Sequence, residues 1–180
     1  MRQAFQALVD RHPMLRTTYL VEDNAPVQRV AGWVETQVEV VDAADLSEEA
    51  LKAAVNSHAN QPFDIENHLP LRLSVHSRAA DDHVVLMTAH HIAADGWSLM
   101  TLYDEFFRLY EEASAGVSAG LSKLSTDYAG YVRWQEDMLS SAEGERLWTY
   151  WREQLAEPRG QAKLPLDRPA PTWRSFAGAE

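Results

Sequence analysis

Apolar positions near the start of the chain recur at helical spacing: Phe5, Leu8 and Val9 share one face of a segment from Ala4 to Asp10, and Pro13 ends the pattern. Leu15 to Val21 predicts a strand, followed by β runs over Val27 to Val30 and Thr36 to Val41, the latter alternating around Val38 and Val40. Asp45-Leu46-Ser47-Glu48 offers a capping box, after which Leu51, Ala54, Val55 and His58 keep helical spacing as far as Pro62. Leu71, Leu73 and Val75 alternate with Arg72, Ser74 and His76, the pattern of a half-buried strand. His83 to Ala89 is nearly all apolar and predicts a central strand covered on both faces, with Asp81-Asp82 as the hairpin turn before it. Beyond Gly96, one helical stripe holds Leu99, Tyr103, Phe106, Phe107 and Tyr110. The opposite stripe holds Asp104, Glu105, Arg108, Glu111 and Glu112. Ser114 to Lys123 is small and rich in Gly and Ser, the composition of a mobile loop. Two more helices are expected over 127–139 and 142–155, ahead of a Pro-rich stretch from Pro158 to Pro171. Strands interleaved with helices, one hairpin among them, predict an α/β sandwich with a mixed sheet.

Composition narrows the function classes. A chain of 180 residues, 46% hydrophobic and 24% charged, has the material for one globular domain with a sizeable core. A net charge of −11 with scattered Lys and Arg argues against nucleic acid and anionic membranes as partners. The opening Met1-Arg2-Gln3-Ala4-Phe5 is amphipathic, unlike a signal peptide, and no apolar run approaches the length of a membrane span. A cytoplasmic protein is expected. With no cysteine, the chain holds no disulfide, thiol nucleophile or thiolate metal site.

The candidate chemistry lies between the apolar run Val84-Val85-Leu86-Met87 and the helix pattern beginning at Trp97. There the sequence reads His90-His91-Ile92-Ala93-Ala94-Asp95-Gly96-Trp97-Ser98. Adjacent residues on an extended segment point to opposite faces, so at most one of the two histidines serves a given pocket. Two such imidazoles do not chelate one ion, and no neighbouring Cys or His/Glu cluster completes a ligand set; no metal is expected. Spacing alone is equally compatible with one histidine satisfying the strand end and Asp95 capping the next helix.

This HHxxxDG stretch with its following Trp-Ser resembles the corresponding motif of nonribosomal peptide synthetase condensation domains, relatives of chloramphenicol acetyltransferase. Arg11-His12-Pro13-Met14-Leu15-Arg16-Thr17-Thr18-Tyr19 resembles that family's RHxxLRTxF segment, and Gln61-Pro62-Phe63-Asp64 with Pro70-Leu71-Arg72 its PFD…PLR segment. Asp127-Tyr128-Ala129 through Trp134-Gln135, Tyr150 to Leu155, and Leu164 to Pro169 follow in the family's order. The resemblance implies a chloramphenicol acetyltransferase-like two-layer α/β sandwich with a mixed sheet, one lobe of the usual two. Residues 1–157 would form the N-terminal lobe without its first strand, and 158–180 a crossover toward a second lobe. It further implies peptide-bond formation between carrier-bound thioester and amine, with activity requiring the second lobe. His91 would be catalytic. His90, Asp95, Gly96 and Arg16 would support the site, Asp95 pairing with Arg16 or, in competition, with Arg72. No cofactor is expected on the chain itself, the substrates arriving on phosphopantetheine. Expected partners are carrier domains, the second lobe and an adenylation domain. Other readings are a coenzyme A acyltransferase of the HxxxD type with an intersubunit site, an epimerisation-type domain, and a non-catalytic docking module.

Overall fold

Arg2–Arg11 forms helix α1, burying Ala4, Phe5, Leu8 and Val9 on the face that the spacing predicts. The computed structural model describes residues 1–157 together with Gly160 and Pro165. The expected crossover and the Leu164 to Pro169 stretch therefore fall outside the described residues, Gly160 and Pro165 apart. A short 3₁₀ turn at Pro13–Arg16 leads into strand β1 (Thr17–Glu22), paired antiparallel with β2 (Ala25–Val30). Asp23 and Asn24 both take positive φ, the left-handed conformation that closes a two-residue hairpin with the right twist.

The main sheet has the order β3-β4-β5, with β3 at Val38–Asp42, β4 at Leu71–Ser77 and β5 at His83–Ala89. β3 runs parallel to β4, and a parallel pair needs a crossover. Helix α2 (Glu48–Ala59) supplies it, with Ser47 as N-cap accepting the Ala50 N–H. β5 returns antiparallel to β4, so the sheet is mixed as expected.

The order of the strands corrects one expectation. β4, not β5, is the middle strand, and its residues are buried on both faces. Leu71, Leu73 and Val75 join α1 and Phe106 in the core. On the other face the polar residues are buried because they find partners. His76 is wholly enclosed, with Nε2 3.2 Å from Nδ1 of His58 on α2, and His58 Nε2 lies 3.4 Å from Glu39 on β3. β5 is an edge strand among the described residues. The Tyr103 hydroxyl sits against it, accepting the Met87 N–H at 3.3 Å and donating to the Met87 carbonyl at 3.4 Å.

The His76 arrangement carries a pH dependence. Burial, and then the neighbouring His58, lower the pKa of His76 against a partial opposing pull from Glu39. The unfolded chain takes up this proton near the ordinary value of about 6.5, whereas the fold resists it. Below that pH the unfolded state binds more protons, so folding stability falls with pH until the lowered folded value is passed. Urea unfolding at pH 7.5 and at pH 5.5 is expected to show this loss, and His76→Asn is expected to show less of it. Parallel losses in both proteins would place the acid sensitivity elsewhere.

Helix α3 (Gly96–Ala115) packs on α1 and ends at Gly116, whose φ of 68° is the left-handed C-cap. Its buried positions are Leu102, Glu105 and Phe106, while Phe107 is exposed. The two-stripe division of this helix is thereby corrected at Glu105 and Phe107. Helices α4 (Tyr128–Leu139) and α5 (Ala142–Gln154) match their expected ranges. A side chain on Gly144 would collide with the Leu139 backbone, so the α4–α5 turn requires glycine. By internal packing the chain divides into two units, Met1–Val132 and Arg133–Glu180. No helix of the described residues is long and apolar enough to cross a membrane.

Candidate functional site

The two histidines lie just past the end of β5, on the turn that joins it to α3. His90 is committed to holding that turn. Its N–H donates to the Pro70 carbonyl at 2.8 Å, its own carbonyl accepts the Ala93 N–H at 3.0 Å, and its Nδ1 accepts the Ile92 N–H at 3.1 Å. His91, between these bonded residues, is exposed and makes no hydrogen bond to the described residues. Strand alternation does not account for this difference, since both residues stand beyond the ladder; the bonds of the turn do.

Asp95 is the N-cap of α3. Its Oδ1 accepts the Ser98 N–H at 2.7 Å and the Ser98 hydroxyl at 2.6 Å. These bonds hold its carboxyl below the usual range, with a smaller contribution from the charge of His91. The buried pair expected of Asp95 and Arg16 is not formed. Asp95 is exposed, and Arg16 Nη1 donates instead to the Ala31 carbonyl at 2.6 Å. Arg72, the competing partner, is turned to the loop at residues 61–63. The local reason is reach: each group has a partner within its own turn or hairpin neighbourhood. Replacing Asp95 by Ala is expected to fray the first turn of α3, with a smaller shift in denaturation midpoint than removal of a buried ion pair. Asp95→Asn, which keeps a capping oxygen, should restore most of it; failure to do so would point to a charge partner.

Gly96 opens the helix, and a methyl group built on it meets nothing within 4 Å. Packing among the described residues does not demand glycine there. Ile92, Trp97 and Met100 flank the turn as exposed apolar side chains, Trp97 at 81% and Met100 at 70% of full exposure. So large an uncovered apolar surface beside a histidine favours contact with another surface or an apolar ligand.

A second group of residues supports the turn from below. The Arg72 guanidinium lies 3.8 Å over the Phe63 ring centre, and the Phe63 ring meets the His90 imidazole edge-on, 5.8 Å away at 83°. Phe63 and Arg72 also line a cleft of about 870 Å³ with Phe5, Arg16, Val38 and His68. Both arginines there keep a buried Nε–H without a partner. The sequence did mark this group, through the Pro62-Phe63-Asp64 and Pro70-Leu71-Arg72 stretches, but gave no contact between it and the histidines.

The sequence marked Arg11 and His12 in one stretch and Glu105 on a polar helix stripe, but did not bring them together as a cluster. Glu105 receives Arg11 Nε at 3.0 Å, Arg11 Nη2 at 3.2 Å and His12 Nε2 at 2.5 Å. Burial opposes the charge of this carboxylate. The hydrogen bonds from Arg11 and His12 outweigh it and hold the group below its ordinary range. This clamp ties α3 to the end of α1. Among the described residues no group of three or more His, Cys, Asp or Glu is placed to hold a metal ion.

Comparison with known proteins gives a consistent picture. The family model described as "Condensation domain" matches residues 1–180. A linear gramicidin synthase of Brevibacillus parabrevis is 33% identical over 181 residues, covering 98% of this chain and 2% of that protein. A chondramide synthase of Chondromyces crocatus is 34% identical over 182 residues, covering 99% of this chain and 5% of that protein. Among solved structures, the epimerization domain from the third module of tyrocidine synthetase B superposes with a TM-score of 0.79 at 25% identity, over 94% of this chain and 39% of that one. The X-domain from teicoplanin biosynthesis gives 0.78 at 27% identity, over 94% and 38%. The chain thus spans a few per cent of these synthetases and under two fifths of the solved domains.

Proposed function

Because the chain belongs to the condensation-domain family, whose model it matches throughout, we propose that it provides the histidine-bearing lobe of a condensation site in a cytoplasmic nonribosomal peptide synthetase. The reaction joins a donor acyl or peptidyl thioester to the α-amino group of an acceptor. The amine nitrogen attacks the thioester carbonyl, the C–S bond of the tetrahedral intermediate breaks, an amide forms and the donor carrier's thiol is released. Both substrates arrive on the phosphopantetheine arms of carrier domains, the acceptor loaded by an adenylation domain.

The observation that carries this reading is the division of labour on the turn. Every neighbour of His91 is bonded in place, while His91 itself is exposed and free to meet a substrate. An α-amino group has an ordinary pKa of about 7.7–8.0, so an appreciable fraction is neutral near pH 7 and no strong base is needed. His91 orients that amine and stabilises the charge that develops as the intermediate forms. His90 holds the turn, and Asp95 fixes the start of α3. Gly96 leaves the approach bare.

The exposed apolar flank of Ile92, Trp97 and Met100 suits a site completed by a second surface. The test follows from that. A protein joining this chain to the second half of a condensation domain, supplied with loaded donor and acceptor carriers, is expected to transfer the donor to the acceptor amine. The chain alone is expected to transfer none. Transfer to free coenzyme A substrates instead would favour the soluble acyltransferase reading, and inversion of a carrier-bound residue without transfer would favour the epimerisation-type reading.

A further inference from the structure

We propose that Phe63 and Arg72 are positioning residues for His91, acting through His90; the proposal rests on the condensation reading above. Arg72 is fixed first. It projects from the middle strand of the sheet, and its guanidinium donates to the Gln61 carbonyl at 2.5 Å, to Gln61 Oε1 at 3.3 Å and to the Pro62 carbonyl at 3.5 Å. The same plane stacks on Phe63 at 3.8 Å. A planar cation with several donors holds a loop carbonyl and an aromatic face at once, which a lysine ammonium cannot do. The loop is therefore seated on the sheet at both its backbone and its ring.

Phe63 passes this order on. Its ring meets the His90 imidazole edge-on and limits the rotation of that ring. Only with the ring so turned does Nδ1 face the Ile92 N–H, which it accepts at 3.1 Å. An Nδ1 that accepts a backbone N–H carries no proton of its own. Neutral His90 is thereby held as the tautomer with hydrogen on Nε2. The residues bonded by this contact stand immediately before and after His91. The chain Arg72, Phe63, His90, Ile92 thus fixes the peptide groups on both sides of the reactive side chain. A displacement of about 1 Å at a reacting group is enough to lower a rate by orders of magnitude.

The experiment uses the 180-residue chain. Nitrogen-15 spectra of its imidazoles report the His90 tautomer, and hydrogen exchange reports the Ile92 amide. In Phe63→Leu the two His90 nitrogens are expected to average toward a tautomer mixture, and the Ile92 amide to exchange about tenfold faster or more. Phe63→Tyr, which keeps the ring, should retain both signals, while Arg72→Lys should lose part of each. Should Phe63→Leu fail to fold, Arg72→Lys carries the same comparison. In the protein joined to a second lobe, Phe63→Leu should lower kcat about tenfold or more with little change in KM for the carriers. An unchanged tautomer and exchange rate in folded Phe63→Leu would overturn the proposal. So would altered signals with an undiminished kcat. Absence of donor transfer by the joined parent protein, with the spectra responding as expected, would instead overturn the condensation reading, and the two failures are told apart by the spectra.

Discussion

Glu105→Ala is expected to lower the folding stability by about 3–5 kcal/mol, the range for breaking a buried ion pair by removing one partner. The carboxylate side chain is only 10% exposed and its Arg11 partner 17%. Removing it leaves the Arg11 guanidinium and the His12 imidazole facing each other in a largely dry site, their three nitrogens without the acceptor they shared. The same change cuts the polar link between α1 and α3, the two helices that cover the core face of the sheet. A pair on the open surface contributes only about 0–1 kcal/mol, so the magnitude distinguishes the two situations. Urea denaturation at pH 7 measures it, with Arg11→Met alongside Glu105→Ala. A loss below about 1 kcal/mol for both would mean that water reaches the cluster and screens it.

The second large effect is on chemistry. In the protein joined to a second lobe, His91→Ala is expected to reduce donor transfer by about 10²–10³-fold, the scale of losing one positioned group that stabilises a developing charge. The fold should be unaffected, because His91 is exposed and bonds to no described residue. His90→Ala should act differently. It removes an acceptor from the turn and so should loosen the segment, with a smaller loss of transfer. Transfer by the His91→Ala protein at the rate of the parent would show that the reaction does not use this residue.

Much of this arrangement could be read from the residues. The helices follow from apolar spacing and from capping residues such as Asp95, and the strands from alternation, because these signals are local; at α2 the cap is Ser47, two residues past the Asp45 that opens the capping-box pattern. What the spacing could not supply was the identity of distant partners. Glu105 reads as a surface residue in its helix and is buried only because Arg11 and His12 come from the other end of the first unit. Arg72, Ser74 and His76 mark β4 as half-buried by pattern. The strand is central because Arg72 finds loop carbonyls and His76 finds His58. At the site, the position of His91 was legible in the motif. The expected ion pair of Asp95 was not realised, since a serine three residues away satisfies the same carboxylate.

The Tyr103 hydroxyl against Met87 has a consequence for how the sheet ends. An edge strand ordinarily presents a row of unsatisfied backbone groups, an open template on which foreign chains can polymerise. Here one rung of β5 is already occupied by a side chain of the helix that follows the histidine turn. Extension of the sheet past that rung requires the phenol to leave, so the outer edge of β5 is protected for as long as α3 stays docked.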